Sequence, residues 1–315
     1  MTGKKILFID SAHPILQAEL ERDGFQCDNF PGYSRAEYER IISAYIGVII
    51  RSKIKLDRDF LSMARNLKFI ARVGAGMENI DTDYAIKQGI ACLNAPEGNR
   101  DAVGEQAVGM LLTLLNKLLL ADREVRKGIW EREKNRGVEL GGKTVGIIGY
   151  GNTGGAFARK LSGFDVQVLA YDKYKTDFSD AYVQQSTMEA LYKRCDVVSL
   201  HVPLTEETHY LVDDAFIRRF QKPFYLINTS RGTVVHTTDL VANLKQGKVL
   251  GACLDVLEYE GLSFENLDSE HLPETFLELV NRQNVVLSPH IAGWTVESNY
   301  KLAMTIVKKI RALKI

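Results

Sequence analysis

Four polar side chains that can carry chemistry follow strand-like apolar segments in the second half of this 315-residue chain. They are Arg231 in "INTSRG", Asp255 and Glu260 in "LDVLEYE", and His290 in "SPHIAG". The planar fork of arginine can orient a carboxylate and polarise a carbonyl without titrating. Histidine titrates near neutral pH and can move a proton, and a neighbouring carboxylate favours its charged form. The set therefore suits proton transfer to the carbonyl oxygen of a small 2-oxo acid during its reduction.

Taken singly, each of these side chains also has a purely structural interpretation. Arg231 precedes a glycine and could be a solvated turn residue, Glu260 could be a surface acid, and His290 could end a buried strand. Ligands gather at the carboxyl ends of parallel strands, so the placement of these residues on successive strand ends favours the chemical interpretation. No two histidines have metal-ligand spacing with a third acid, and we predict no metal site.

A glycine-rich turn indicates a dinucleotide site. "TVGIIGYGNTGGAFARKL" has the G-x-G-x-x-G spacing after an apolar strand and before a helical pattern, which suits a pyrophosphate at a helix N-terminus. An acid ends the next strand, "VQVLAYD", where it can bind ribose hydroxyls and repel a 2′-phosphate, so NAD is favoured over NADP. A methyltransferase could use a similar turn, and the acid could be a simple turn former. The predicted cofactor residues here are Gly149, Gly151, Asn152, Thr153, Gly154 and Asp172.

The rest of the chain must position these groups. Strand and helix patterns alternate from residue 4 to residue 97, and a second alternating series begins at Lys143 and contains six strand candidates. One long helix, from about Asp101 to Trp130, is predicted between the two series. We therefore predict an α/β protein with two doubly wound parallel-sheet domains.

Composition narrows the partners. Lysine plus arginine equals aspartate plus glutamate at 40 each, so neither a nucleic acid nor a membrane partner is predicted. The four cysteines form no CxxC pair. The N-terminus lacks the pattern of a signal peptide, and a cytoplasmic location is expected.

Several segments, "VGAGMENID", "VGIIGYGNTGGAFA", "LHVPLTEETHYLV", "INTSRGTVV", "GACLDVLEYE" and "LSPHIAGWT", resemble the D-isomer-specific 2-hydroxyacid dehydrogenase family, and in particular its short-type phosphoglycerate dehydrogenases. The resemblance implies hydride transfer between NAD(H) and a small D-2-hydroxy acid. It implies that Arg231 orients the substrate and that Glu260 pairs with His290, the proton-transfer residue. It also implies further cofactor contacts, from Val202, Pro203, Thr208, Thr229, Asp255 and Gly293.

The resemblance also implies a domain arrangement. Residues 1–97 and 294–315 would form a flavodoxin-like substrate-binding domain, and residues 98–293 a Rossmann cofactor domain, with a cleft between them. A homodimer would form through the cofactor domains. One departure follows Glu260, where Gly261 replaces the proline that the family commonly has, and "LSFENLDSEHLPETFLELVNRQ" is longer than usual.

The resemblance extends to the substrate. The backbone amides of Val73, Gly74, Ala75 and Gly76 would receive the substrate carboxylate, and Asn99 would contact the substrate. Arg51 and Lys53 could bind a substrate phosphate, with Arg132 reaching in from a partner subunit. The leading substrate is 3-phosphoglycerate, or 3-phosphohydroxypyruvate in reduction. The alternatives are another D-2-hydroxy acid, such as glycerate, lactate or the one formed from glyoxylate, and a non-catalytic NAD-sensing corepressor.

Overall fold

The computed structural model describes residues 4–261 and 272–315. Residues 262–271, part of the long stretch after Glu260, lie outside the described residues. The chain divides into two compact units: one contains residues 4–100 and Trp294–Ile315, and the other contains Asp101–Glu260 and residues 272–293. Residues 98–100, which the resemblance placed in the Rossmann domain, are grouped with the first unit.

The elements alternate along both units. The strands are β1 Lys5–Phe8, β2 Gln26–Asn29, β3 Gly47–Ile50, β4 Phe69–Arg72, β5 Ala91–Leu93, β6 Thr144–Ile148, β7 Gln167–Tyr171, β8 Gln184–Gln185, β9 Val197–Leu200, β10 Phe224–Asn228, β11 Val249–Leu254 and β12 Val285–Leu287. The α-helices are α1 Pro14–Arg22, α2 Arg35–Ile41, α3 Arg58–Met63, α4 Thr82–Lys87, α5 Pro96–Leu115, α6 Leu118–Val125, α7 Asn152–Lys160, α8 Met188–Arg194, α9 Asp214–Arg218, α10 Thr237–Lys245, α11 Glu274–Val280 and α12 Val296–Ala312.

The first unit is built on a five-stranded parallel sheet in the order β2-β1-β3-β4-β5, which is the flavodoxin-like order. All four residues of β3 and of β4 are buried, as expected for parallel strands covered on both faces. The C-terminal helix α12 belongs to this unit, since its Ile306 and Ile310 join a core with Leu16 and Leu20 of α1. Arg311 of α12 also pairs with two acids near α1.

The second unit is built on a seven-stranded parallel sheet in the order β12-β11-β10-β9-β6-β7-β8. This is the Rossmann order with one additional strand next to β11. The predicted fold class of two doubly wound parallel sheets is confirmed. The prediction of six strands in this unit was wrong, because β8 is only two polar residues long and has no apolar pattern.

The long helix predicted between the two series is in fact two helices. α5 begins earlier than predicted, at Pro96, and α6 ends at Val125, with a bend of 60° between them. At the break Lys117 has a left-handed backbone, with φ of 51°, and the carbonyl of Leu115 accepts a hydrogen bond from the amide of Val138 instead of one from the next helical turn. Within the described ranges, no single helix is long and apolar enough to cross a membrane, and α5 with α6 meet that test only as a bent pair.

Candidate active site

The glycine turn between β6 and α7 has the shape that a dinucleotide phosphate requires. Gly149 has φ of 92°, and a Cβ there would overlap the carbonyl oxygen of His201. A Cβ on Gly154 would overlap the carbonyl oxygen of Gly149. A Cβ on Gly151, in contrast, would meet nothing within 4 Å, so an open space lies over the turn at the N-terminus of α7. The turn therefore fits a pyrophosphate, with backbone amides facing the anion.

These differences predict opposite phenotypes for two glycine variants. Gly154→Ala should lower the free energy of unfolding by about 1–3 kcal/mol because its Cβ overlaps backbone, even though alanine is the better helix former. Gly151→Ala should leave stability within about 0.5 kcal/mol and weaken NADH binding about tenfold or more, because its methyl group occupies the open space. Urea unfolding and NADH fluorescence titration measure the two effects. Equal losses of stability in both variants would contradict this account of the turn.

Asp172, directly after β7, connects the glycine turn to the loop that follows β7. Its Oδ2 accepts a hydrogen bond from the amide of Tyr150 at 2.9 Å, and its Oδ1 accepts from the amides of Tyr174 and Lys175 at 3.0 and 3.1 Å. The carboxylate thus lies beside the phosphate-binding turn, where the ribose acid was predicted, and it also shapes the loop around it.

The loop after β9 lies on the other side of β6. Its Thr208 donates from its hydroxyl to the carbonyl of Pro203 at 2.6 Å, which closes the loop on itself, and Val202 is half-buried. Sequence reasoning missed His201, whose ring lies between the hydroxyls of Ser199 and Thr153, at 2.9 and 3.2 Å. Burial lowers the pKa of His201 to about 3, so this ring is neutral and supports the turn. A histidine directly after a buried strand was the only available signal.

The loop that carries Arg231 follows β10, and the side chain of Asn228 at the end of β10 holds it in place. Asn228 is fully buried; its side chain accepts from the hydroxyl of Ser230 at 2.8 Å and donates to the carbonyl of Arg231 at 2.9 Å. The hydroxyl of Thr229 is buried and has no hydrogen-bond partner among the described residues, which fits its predicted place at the cofactor. A Cβ on Gly232 would overlap the backbone of Leu257, so this loop touches the one leading to Glu260.

Asp255 organises the loop that carries His290. The residue is 1% exposed, and its carboxylate accepts from the hydroxyl of Ser288 at 2.6 Å and from the amides of Ile291 and Ala292 at 2.9 and 2.8 Å. Its own carbonyl accepts from the amide of His290 at 2.7 Å. The resemblance implies a cofactor contact from Asp255, and the structure gives its carboxylate three partners within the protein. Gly293, predicted to contact the cofactor, is half-buried at the end of this loop.

His290 and Glu260 form the central pair of the site. Nδ1 of His290 lies 2.8 Å from Oε2 of Glu260, and the two side chains are 24% and 13% exposed. The other carboxylate oxygen of Glu260 accepts from the amide of Leu257 at 2.5 Å. His290 has a left-handed backbone, with φ of 54°, so the chain has left the extended conformation of β12 at this position. An acid bound to one ring nitrogen of a partly exposed histidine is a general acid–base arrangement.

In the first unit, two of the four backbone amides predicted to form an anion site donate to carbonyls of the protein. The amides of Val73 and Gly74 donate to the carbonyls of Ile50 and Arg72, at 2.8 and 2.9 Å. Two of the four amides predicted to receive the substrate carboxylate, those of Val73 and Gly74, are therefore engaged within the protein. The role of Ala75 and Gly76 stays a prediction. The hydrogen bonding between β3 and β4 thus continues one residue beyond the end of β4, to Val73.

Arg51 and Lys53, the two basic residues predicted to bind a substrate phosphate, have different contacts in the first unit. The guanidinium of Arg51 lies 4.2 Å from the ring centroid of Trp294, which is 65% exposed. The ammonium of Lys53 instead donates to the carbonyl of Pro31 and lies 3.2 Å from the hydroxyl of Tyr38. The structure therefore does not bring Lys53 to Arg51 as a second phosphate ligand.

Two other predicted residues differ in their surroundings. The side-chain oxygen of Asn99, in α5, is buried and has no partner within the described part of the chain, as a ligand-binding amide would be. Arg132 is exposed in the second unit. Its predicted reach into a partner's site stays a prediction.

Comparison with known proteins agrees with this geometry. Residues 108–292 match the model of the D-isomer specific 2-hydroxyacid dehydrogenase NAD binding domain. A D-3-phosphoglycerate dehydrogenase of Archaeoglobus fulgidus is 34% identical over 95% of this chain, which spans 56% of that relative. A glyoxylate reductase of Thermofilum pendens is 36% identical over 89% of this chain and 81% of its own.

Solved structures give the same result. A D-lactate dehydrogenase of Aquifex aeolicus, complexed with NAD and lactic acid, has a TM-score of 0.83 and 28% identity, and the match covers 98% of this chain and 95% of that one. The glycine turn, the histidine–glutamate pair and these matches together place the chain in the D-isomer specific 2-hydroxyacid dehydrogenase family, with an NAD-binding domain as its second unit.

Proposed function

We propose that this protein is an NAD-dependent dehydrogenase of small D-2-hydroxy acids. The observation that carries the proposal is the 2.8 Å contact between His290 and Glu260, after neighbouring strands of the NAD-binding unit. Arg231 follows the next strand of the same sheet. The three side chains supply a cation, a proton-transfer group and its carboxylate partner, which are the groups that reduction of a 2-oxo acid needs.

The roles of the residues follow from their contacts. NAD(H), when bound, supplies or accepts the hydride at substrate C2. The guanidinium of Arg231 orients the substrate carboxylate and polarises the carbonyl. Because Glu260 binds Nδ1 of His290, we assign proton transfer to Nε2, which gives a proton to the substrate oxygen in reduction and takes it back in oxidation. The carboxylate of Glu260 stabilises the imidazolium that exists before reduction and after oxidation.

The leading substrate pair is 3-phosphoglycerate and 3-phosphohydroxypyruvate. Two observations support it: Arg51 provides a cation at the end of β3, and one relative at 34% identity is a D-3-phosphoglycerate dehydrogenase. One observation favours an unphosphorylated acid, such as glyoxylate or hydroxypyruvate, because the Lys53 ammonium is bound to Pro31 and Tyr38. The glyoxylate reductase relative agrees with this second candidate.

A lysine variant separates the two substrates. If Lys53 leaves Tyr38 to bind a phosphate, Lys53→Ala raises KM for 3-phosphohydroxypyruvate about tenfold and changes KM for hydroxypyruvate less than about twofold. The exposed Lys55, two residues further on, provides the matched control Lys55→Ala. Initial rates of NADH oxidation with the two acids give both constants. An unchanged KM for the phosphorylated acid would remove Lys53 from the phosphate site and favour the unphosphorylated acids as substrates.

We also propose that the protein forms a homodimer through its NAD-binding unit. Six large apolar side chains between residues 118 and 138 are exposed in the single chain: Leu118, Leu119, Val125, Ile129, Trp130 and Val138. These six side chains come from one segment of the chain, and exposed apolar side chains that cluster in a patch often mark an interaction surface. Sedimentation velocity measures the association directly.

A reducing location is proposed from the cysteines. All four of them are thiols, and Cys195 and Cys253 are buried. Burial raises the pKa of the Cys195 thiol to about 12 and holds it protonated. Unpaired buried thiols are typical of proteins in the cytoplasm.

A further inference from the structure

Two charged loops lie on either side of the glycine turn. One follows β7 and contains Asp172–Lys173–Tyr174–Lys175, and the other follows β9 and contains Glu206 and Glu207. β7 and β9 are the two strands that pair with β6, at whose end the turn lies. The two loops are therefore placed beside the adenosine half of a bound dinucleotide.

Glu207 joins these loops through both of its carboxylate oxygens. Oε1 lies 2.7 Å from the ammonium of Lys173, and Oε2 accepts from the hydroxyl of Tyr174 at 2.7 Å. The hydrogen bond to Glu207 raises the pKa of Lys173, and the hydrogen bond from Lys173 lowers the pKa of Glu207, so both groups are charged near neutral pH.

The second lysine of the loop is also engaged. Lys175 donates from its ammonium to the carbonyl of Tyr150, inside the glycine turn, at 2.9 Å. The two lysines that follow the ribose acid Asp172 thus have other partners within the protein. A 2′-phosphate on the adenosine ribose is the anion that such lysines would otherwise attract.

The Lys173–Glu207 pair contributes little to folding. Its side chains are 55% and 52% exposed, and solvent screens an ion pair at such a position. The same exposure makes the lysine easy to redirect, because its flexible stem exchanges partners at low cost. We therefore expect Glu207 to affect which cofactor binds rather than the free energy of unfolding.

We propose that Glu207 is a cofactor-specificity residue: by binding Lys173 it denies a cation to a 2′-phosphate, and it thereby adds to the preference for NAD over NADP. Asp172 and Glu207 act in different ways. The first repels the added phosphate directly, and the second removes the lysine that would compensate for that repulsion. Asp172 alone cannot test the idea, because its carboxylate also shapes the turn through three amides.

Equilibrium binding of the cofactor tests the proposal without any turnover. A failure of this proposal can therefore be distinguished from a failure of the proposed dehydrogenase activity. The biological meaning of the cofactor preference rests on that proposed activity. The readout is the ratio of the Kd of NADPH to the Kd of NADH, obtained by fluorescence titration of the whole chain. We expect Glu207→Gln to lower this ratio about fivefold or more, and the gain to shrink as salt is raised.

Two further variants distinguish the mechanism from simple loss of a negative charge. Glu206→Gln removes the neighbouring exposed acid and should leave the ratio unchanged. In a Lys173→Met background, Glu207→Gln should have no effect on the ratio, since the lysine is absent. The proposal is overturned if Glu207→Gln leaves the ratio unchanged, if Glu206→Gln lowers it equally, or if the gain persists without Lys173.

Discussion

Replacing His290 with asparagine is expected to lower kcat by about 10²- to 10⁴-fold, the usual contribution of a general acid–base group. The Kd of NADH should change by less than about threefold, because the loop of His290 follows β12, four strands away from β6 and its glycine turn. Asparagine is the informative substitution, since it tolerates the left-handed backbone of this position better than alanine does. Stopped-flow reduction of the 2-oxo acid and NADH titration measure the two quantities.

Glu260→Gln is the matched control for this prediction. Glutamine retains a hydrogen-bonding side chain but loses the charge that stabilises the imidazolium, so kcat should fall by less than in the histidine variant. Comparable losses of kcat and of NADH affinity in His290→Asn would remove the proton-transfer role and leave a structural histidine.

Arg231→Lys is expected to lower kcat/KM for the 2-oxo acid by about 10²- to 10³-fold, although the charge is kept. Lysine cannot reproduce the planar fork that binds a carboxylate through two parallel hydrogen bonds. Asn228 should still hold the loop through the carbonyl of Arg231 and the hydroxyl of Ser230. The guanidinium also donates to the carbonyl of Ser230 at 2.6 Å, and the lysine ammonium must replace that hydrogen bond if the loop is to keep its place. Steady-state kinetics and the Tm of the variant measure both effects.

The Arg231→Lys variant could also lose activity through a change in the conformation of its loop. Gly232 brings the backbone of this loop against Leu257, and a misfolded loop would disturb both segments. A normal Tm with a large loss of kcat/KM supports substrate binding by Arg231. A kcat/KM within about twofold of the unchanged protein would show that the guanidinium does not touch substrate.

Features that depend on local pattern could be predicted from the sequence. The glycine turn, the apolar strands around it and the acid at the end of β7 follow from short-range rules on backbone space and strand burial. β8 was missed because its two polar residues carry no burial pattern. The break after α5 was missed because its cause is distant in sequence: Val138 donates to the carbonyl of Leu115.

The candidate site shows the same limit. Its residue types and their strand ends were predicted, and the 2.8 Å contact between His290 and Glu260 agrees with the predicted pairing. The hydrogen-bond partners that these site residues have within the protein could not be predicted, because the partners come from other elements of the fold. Asp255 binds the loop of His290, Lys53 binds Tyr38, and the amide of Val73 is used by β3.

The central claim is a hydride transfer between NADH and a 2-oxo acid in which this chain supplies the proton. It is tested most directly with NADH that carries deuterium at C4 of the nicotinamide, incubated with each of a panel of 2-oxo acids. The account predicts that NMR and chiral chromatography will find a D-2-hydroxy acid with deuterium at C2. Tight NADH binding with no deuterium transferred to any acid in the panel would contradict it.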